Sequence, residues 1–179
     1  MTLHYQILLH LTKHTDLINY NKIQLLFKQT NMCLDLKDNK NEFLNNGNIH
    51  QIESKSDAFE FAKIASESFG YKVDGTIIYN LCKDNLHFRL FIYKEKEESY
   101  GCGIVFFDKN NVAGFHMIGT IPKGRGKGIG KSMTEKLISE AIANNSQYCV
   151  LNASKMGEQI YKKLGFTAYG ALENYTILK

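Results

Sequence analysis

A chain of 179 residues with 44% apolar and 12% aromatic side chains can bury one core, which excludes whole-chain disorder and leaves too little length for two ordinary domains. The net charge of +4 arises from 22 bases interspersed with 18 acids, which excludes a general polyanion-binding surface but not a local anion site. Four cysteines, Cys33, Cys82, Cys102 and Cys149, stand far apart without a CxxC pair; this fits neither a zinc module nor a disulfide scaffold, and free thiols in a reducing cytosol are expected.

Polar residues interrupt every apolar stretch well below membrane-spanning length, and no basic segment leads into an apolar run with a cleavage site. The expectation is a cytoplasmic protein with no membrane partner. Residues 3–11 alternate like a strand except at Leu8, which leaves a helix open. The apolar positions 20, 23, 26 and 27 suit a short helix over 16–27, and 32–36 reads as a strand. The Asn- and Lys-rich stretch 38–48 reads as a linker, so residues 1–46 are expected to be an N-terminal extension packing on a main domain of 47–179.

Ile49 to Glu53 suits a strand. Asp57 with Glu60 gives a capping-box-like start to a helix carrying Phe61, Ala62, Ala65 and Phe69 on one face and ending at Gly70. Ile77, Ile78, Leu81 and Cys82 mark a second helix. Three strands follow, 88–93, 100–107 and 112–120, joined by short charged turns that favour an antiparallel meander. Ile129, Met133, Leu137, Ile138, Ala141 and Ile142 trace a helical stripe, and 149–151 is a short buried strand of the kind that follows a crossover helix. A helix near 157–164, stopped by Gly165, and strands at 166–169 and 175–178 complete the chain. The order predicts a mixed α/β fold with an antiparallel front and a parallel pair at its centre.

Glycines at 124, 126, 128 and 130 stand between a strand and an amphipathic helix, among Lys123, Arg125, Lys127 and Lys131. Glycine permits positive φ and close backbone approach, and the free N–H groups of a helix start favour an anion. A phosphate or pyrophosphate is the ligand such a loop wants. It is not a P-loop, because the glycine required five residues before Gly130-Lys131-Ser132 is Arg125. It is not a dinucleotide fingerprint either, since GxGxxG fails from Gly124, which leads to Ile129, and from Gly126, which leads to Lys131.

Arg125-Gly126-Lys127-Gly128-Ile129-Gly130 resembles the R/Q-x-x-G-x-G/A pyrophosphate loop of the GNAT superfamily of N-acetyltransferases, and Tyr161-Lys-Lys-Leu-Gly-Phe166 resembles that family's closing Tyr-x-x-Leu-Gly-Phe. The resemblance covers roughly Ile49 to the C-terminus. It implies a GNAT-type mixed central sheet with an antiparallel front, a splayed parallel pair and helices on both faces. It also implies acetyl-CoA as cosubstrate without a metal, and transfer of its acetyl group through a ternary complex to a primary amine of a small molecule or peptide. A non-catalytic acyl-CoA-binding or regulatory module on the same fold is the alternative. No nucleic-acid partner is expected, and a homodimer is left open.

By the same resemblance, the acyl-CoA contacts fall on the strand residues Met117, Ile118, Gly119 and Thr120, on Arg125, Gly126, Lys127, Gly128, Ile129, Gly130 and Lys131, and on Asn152 and Ser154. Ser154 departs from the Asn that many relatives carry there. Amine substrates with pKa of about 10.4 need help losing a proton at pH 7, a deficit of about 4–5 kcal/mol. His116, where some members place a His or Glu, is the candidate base, with Glu53, Glu67 and Glu173 as alternatives. Tyr161 is the candidate acid; a phenol of pKa about 10 facing a thiolate of about 8.5 acts chiefly as a hydrogen-bond donor.

Overall fold

The computed structural model describes residues 23–37 and 46–177. Its elements are β1 (Ile23–Asp35), β2 (Ile49–Gln51), α1 (Lys55–Phe69), α2 (Gly75–Lys83), β3 (Phe88–Glu95), β4 (Glu98–Phe107), β5 (Val112–Thr120), α3 (Ile129–Ala143), β6 (Tyr148–Ala153), α4 (Glu158–Lys163) and β7 (Thr167–Ile177), with a 3-10 turn at Pro122–Gly124. From β2 onward this is the alternation predicted from periodicity. The two strands expected at the C-terminus are one.

Local chemistry accounts for the helix ends. Ser54 caps α1, its hydroxyl accepting from the Asp57 N–H while the Asp57 carboxylate accepts from the Ser54 N–H, so the capping box begins three residues earlier than the predicted Asp57/Glu60 pair. Glu60 instead binds Lys94 and Ser99 and ties α1 to the β3–β4 hairpin. Gly70, at φ 77°, closes α1 as expected. On α2, Ile78 is buried but Ile77 is exposed, because only one side of the helix meets the sheet.

One seven-stranded sheet runs in the order β2-β3-β4-β5-β6-β1-β7. All its neighbours are antiparallel except β5 and β6. Cross-strand alternation sends Leu90, Ile92, Cys102 and Ile104 to a core beneath α1 and α2. Residues of the opposite parity, among them Phe91, Val105, Phe115, Leu151, Met32 and Leu34, pack with Met133, Leu137 and Ile138 of α3 on the other face. The fold class read from the sequence is therefore the one observed. Arg89 and Lys136 both bind Glu140, at 2.5 and 2.6 Å, and brace α3 against β3.

The first strand departs most from expectation. The helix predicted over 16–27 is replaced, over its described part, by β1, which begins at Ile23 and pairs with β7 from Ile23↔Ile177 to Cys33↔Thr167. Long-range pairing of a whole strand overrides a local apolar spacing that only four residues supported. On its other edge β1 pairs with β6 from Thr30 to Asp35. Of the extension expected at 1–46, residues 1–22 and 38–45 lie outside the described residues, as does the strand-or-helix reading of 3–11; the described piece is an interior strand of the sheet. Met32, Leu34 and Leu36 are buried there. At about 1.5–3 kcal/mol each, their burial is comparable with the roughly 5–15 kcal/mol that holds a domain together. A chain starting at Gly47 should therefore show no cooperative thermal transition by circular dichroism. An unchanged melting temperature would mean that β1 is dispensable.

Candidate active site

The site begins where the sheet stops being a sheet. β5 and β6 pair only at Val112↔Tyr148, Ala113↔Cys149 and Gly114↔Val150. Beyond these, β5 continues to Thr120 and β6 to Ala153 without meeting. Alternate N–H and C=O groups of β5 from Phe115 onward thus face an open cleft rather than a neighbouring strand. Two connected lobes occupy it. The larger, about 830 Å³, is lined on the α3–α4 side by Ile118, Leu151, Ser154 and Tyr161. The smaller, about 400 Å³, includes His116, Asn31, Asn152 and Cys33.

A bulge aims the cleft edge of β5. Gly103 faces both Met117 and Ile118, the register stepping from Cys102↔Gly119 to Ile104↔His116. Met117 takes φ 50°, a left-handed conformation that costs a non-glycine residue about 1–2 kcal/mol. The extra residue resets the alternation, so Met117 packs toward α1 and Ile118 toward α3. The Cys102 thiol, fully buried and pushed up to about 12 by that burial, donates to the Met117 carbonyl at 3.3 Å. Sequence reasoning assigned Cys102 no role; only the fold places it opposite the bulge. Gly119 lets α1 press on β5, since a Cβ there would lie 2.9 Å from Ser68 Cβ.

Beyond the 3-10 turn the chain passes through the glycine loop into α3. Gly126 and Gly128 take φ 79° and 80°, and Gly128 caps α3 with no side-chain hydrogen bond. Among the described residues, the amides from Gly126 to Lys131 have no protein acceptor, the first bond of the helix being Ser132 N–H to the Gly128 carbonyl. Six free N–H groups at the start of a 15-residue helix suit a group the size and charge of a pyrophosphate. A Cβ at Gly126 or Gly128 would meet nothing within 4 Å, so glycine is required there for φ rather than for space. The four bases are less free than the sequence suggested. Lys123 pairs with Glu98, Lys131 with Glu135, and Arg125 lies 3.4 Å from the Thr120 carbonyl and 3.5 Å from that of Ser68. Lys127 stands over the Tyr100 ring at 4.7 Å.

Tyr161 and His116 approach the cleft from opposite faces. Tyr161 sits on α4 against Phe166 and belongs to the α3-side core with Phe115. His116, the next residue after Phe115, points to the α1 side, its ring over Gly114, where a Cβ would be 3.0 Å from Nε2. Neither side chain has a hydrogen-bond partner among the described residues. Burial pushes the Tyr161 phenol up to about 12, and partial desolvation lowers the His116 pKa from its ordinary 6.5. Glu53, Glu67 and Glu173, the alternative bases, line neither lobe of the cleft. Residues outside the predicted set that line it include Phe69 and Tyr71 at the end of α1, and Phe27, Lys28 and Gln29 of β1. No sequence motif marks them, because strand order alone brings β1 here. No group of three or more His, Cys, Asp or Glu is placed to hold a metal ion among the described residues.

The Cys102 contact is testable. Cys102→Ala leaves the Met117 carbonyl without its donor and should cost about 1–3 kcal/mol in chemical denaturation, whereas Cys102→Ser, which restores a donor, should recover most of it. Equal stability of the two variants would deny the thiol a part in holding the bulge.

Residues 87–168 match the family model described as the acetyltransferase (GNAT) domain. Comparison with curated proteins gave no match. Among solved structures, the chain is similar to a GCN5-related N-acetyltransferase from Sphaerobacter thermophilus (TM-score 0.70, 12% identity, 91% of this chain and 56% of that one). A GCN5-related N-acetyltransferase from Kribbella flavida is similar to the same degree (TM-score 0.67, 13% identity, 90% and 62%). The ribosomal-protein-S18-alanine N-acetyltransferase from Escherichia coli is similar over less of this chain (TM-score 0.60, 15% identity, 73% and 94%). The chain thus spans between half and two thirds of the length of the first two, and at these identities the likeness concerns the fold. Residues 87–168 thus match the GNAT acetyltransferase domain model, and the described residues of the chain have the GNAT fold.

Proposed function

We propose that this protein transfers the acetyl group of acetyl-CoA to a primary amine. The observation that carries the reading is the continuity of the anion cradle at Gly126–Lys131 with the unpaired edge of β5 and the cleft before Tyr161. Acetyl-CoA supplies an anionic pyrophosphate, an amide-bearing arm and an activated acetyl thioester, and these three chemistries match those three parts in order.

The loop amides with Arg125 and Lys127 hold the pyrophosphate, and the amides and carbonyls of Met117, Ile118, Gly119 and Thr120 pair with the arm as a strand would. Ser154 and the backbone of Asn152 form the facing wall. Ser154 also accepts from the Gly157 N–H at 3.2 Å, so its hydroxyl has a capping role besides. An amide freed by the bulge at Met117–Ile118 is available to the oxyanion that develops at the thioester carbonyl.

His116 relays the amine proton. Its lowered pKa keeps the imidazole neutral, and so able to accept, down to a pH below 6.5. Tyr161 does not give up its proton. A phenol at about 12 is roughly 3.5 pH units, or about 5 kcal/mol, too weak an acid for a thiolate near 8.5. It donates a hydrogen bond to the departing sulfur, and burial makes that donor permanent across the working pH range.

Thiol release from acetyl-CoA across an amine panel tests the reading; no release with any amine by a protein that binds CoA would reject it. Tyr161→Phe should lower kcat about 10–100-fold while CoA affinity, measured by calorimetry, changes less than about twofold. Full turnover by this variant would reduce Tyr161 to packing. Wild-type activity should rise from pH 6 to 8 with deprotonation of the amine. The His116→Ala defect should be largest near pH 7, where the imidazole is neutral but the amine is not, and shrink toward pH 10. A defect independent of pH would make His116 structural.

A further inference from the structure

We infer that the lobe of the cleft at His116 recognises an acceptor amine through a neutral, amide-bearing group, so that the acceptor class is a peptide N-terminus rather than a polycationic amine. The inference rests on the acetyl-transfer reading above and narrows it.

Strand alternation builds the lobe. Asn31 of β1 and Asn152 of β6 are directly paired, so their side chains stand side by side on the face away from α3. The row continues across the cleft to His116 on β5, and Gln29 lies two residues from Asn31 on the same face. Sheet pairing holds the backbones of both asparagines, yet neither carboxamide has a hydrogen-bond partner among the described residues. A carboxamide offers two donors and an acceptor. Two of them, adjacent, complement a group that presents both a carbonyl and an N–H, which is what a peptide unit does. Gln29 is already engaged, its Oε1 accepting from Asn174 Nδ2 at 3.5 Å.

Charge excludes the other large class of amines. Among the described residues lining either lobe, none is an aspartate or glutamate. The formal charges present are Lys28 and Lys155 in the larger lobe, with Lys28 bound to Glu173 outside it. A spermidine or an aminoglycoside would bring two or more ammonium groups into a cleft that offers them no counter-charge. An N-terminal peptide brings one, which is the group that loses its proton in the reaction, and it meets His116 there.

The test compares a tripeptide amide with uncharged side chains and spermidine as acceptors, using thiol release for the rate and calorimetry for CoA binding. The wild type should use the peptide with a kcat/KM at least roughly tenfold above that of spermidine. Asn31→Asp should shrink this preference roughly fivefold through the acceptor terms, and Asn31→Leu should lower peptide kcat/KM roughly tenfold, both with CoA affinity unchanged. Preference for spermidine in the wild type, or a ratio unmoved in folded Asn31→Asp, overturns the inference while leaving acetyl transfer in place. No thiol release with either acceptor, although CoA binds, overturns the transferase reading and this inference with it.

Discussion

The proposed site depends on two parallel strands that pair for three residues and then part. A continuous ladder between β5 and β6 would satisfy the backbone of residues 115–120 and close the cleft. Separation instead leaves their polar groups facing a cleft, a cost that is recovered when a ligand pairs with them. What keeps the strands apart is structural on both sides. β5 is held by β4 and turned by the bulge at Met117, whose carbonyl is anchored by Cys102. β6 is held by β1, which pairs with it from Thr30 to Asp35.

The same opening gives the site its two electrostatic characters. On the α3 side the cleft leads to six free amides at a helix start, and hence to anions. On the opposite side it meets carboxamides and an imidazole. Tyr161 and His116 stand on the two faces, and their environments push their pKa values apart, one upward and one downward. A phenol held protonated by burial and an imidazole whose pKa is lowered are the pair that the proposed reaction needs, since there a proton leaves the amine and the sulfur needs only a hydrogen bond.

Much of this was legible in the sequence because it is local. The glycine loop, the α3 stripe from Ile129 to Ala141 and the closing Tyr161–Phe166 segment each carry their physics within a few residues. What was not legible is non-local. Residues 23–27 read as helix because four apolar positions were weighed without the partner strand 150 residues away. Glu98, which neutralises Lys123 and accepts from Tyr100, is remote from the loop in sequence. Asn31 precedes the strand read at 32–36 and carried no local signal; only pairing with Asn152 puts it in the cleft. The bulge could not be anticipated either, since nothing in Phe-His-Met-Ile-Gly marks Met117 as the residue with positive φ.

The central claim is that the unpaired edge of β5 and the glycine loop are one binding surface. Titration of the 15N-labelled protein with CoA, followed by amide chemical shifts, tests it most directly. The account predicts the largest shifts at residues 115–120 and 126–131, with those of β2 and the outer face of α2 unmoved. Shifts that spare both segments, or saturable binding that perturbs the loop without the β5 edge, would contradict it.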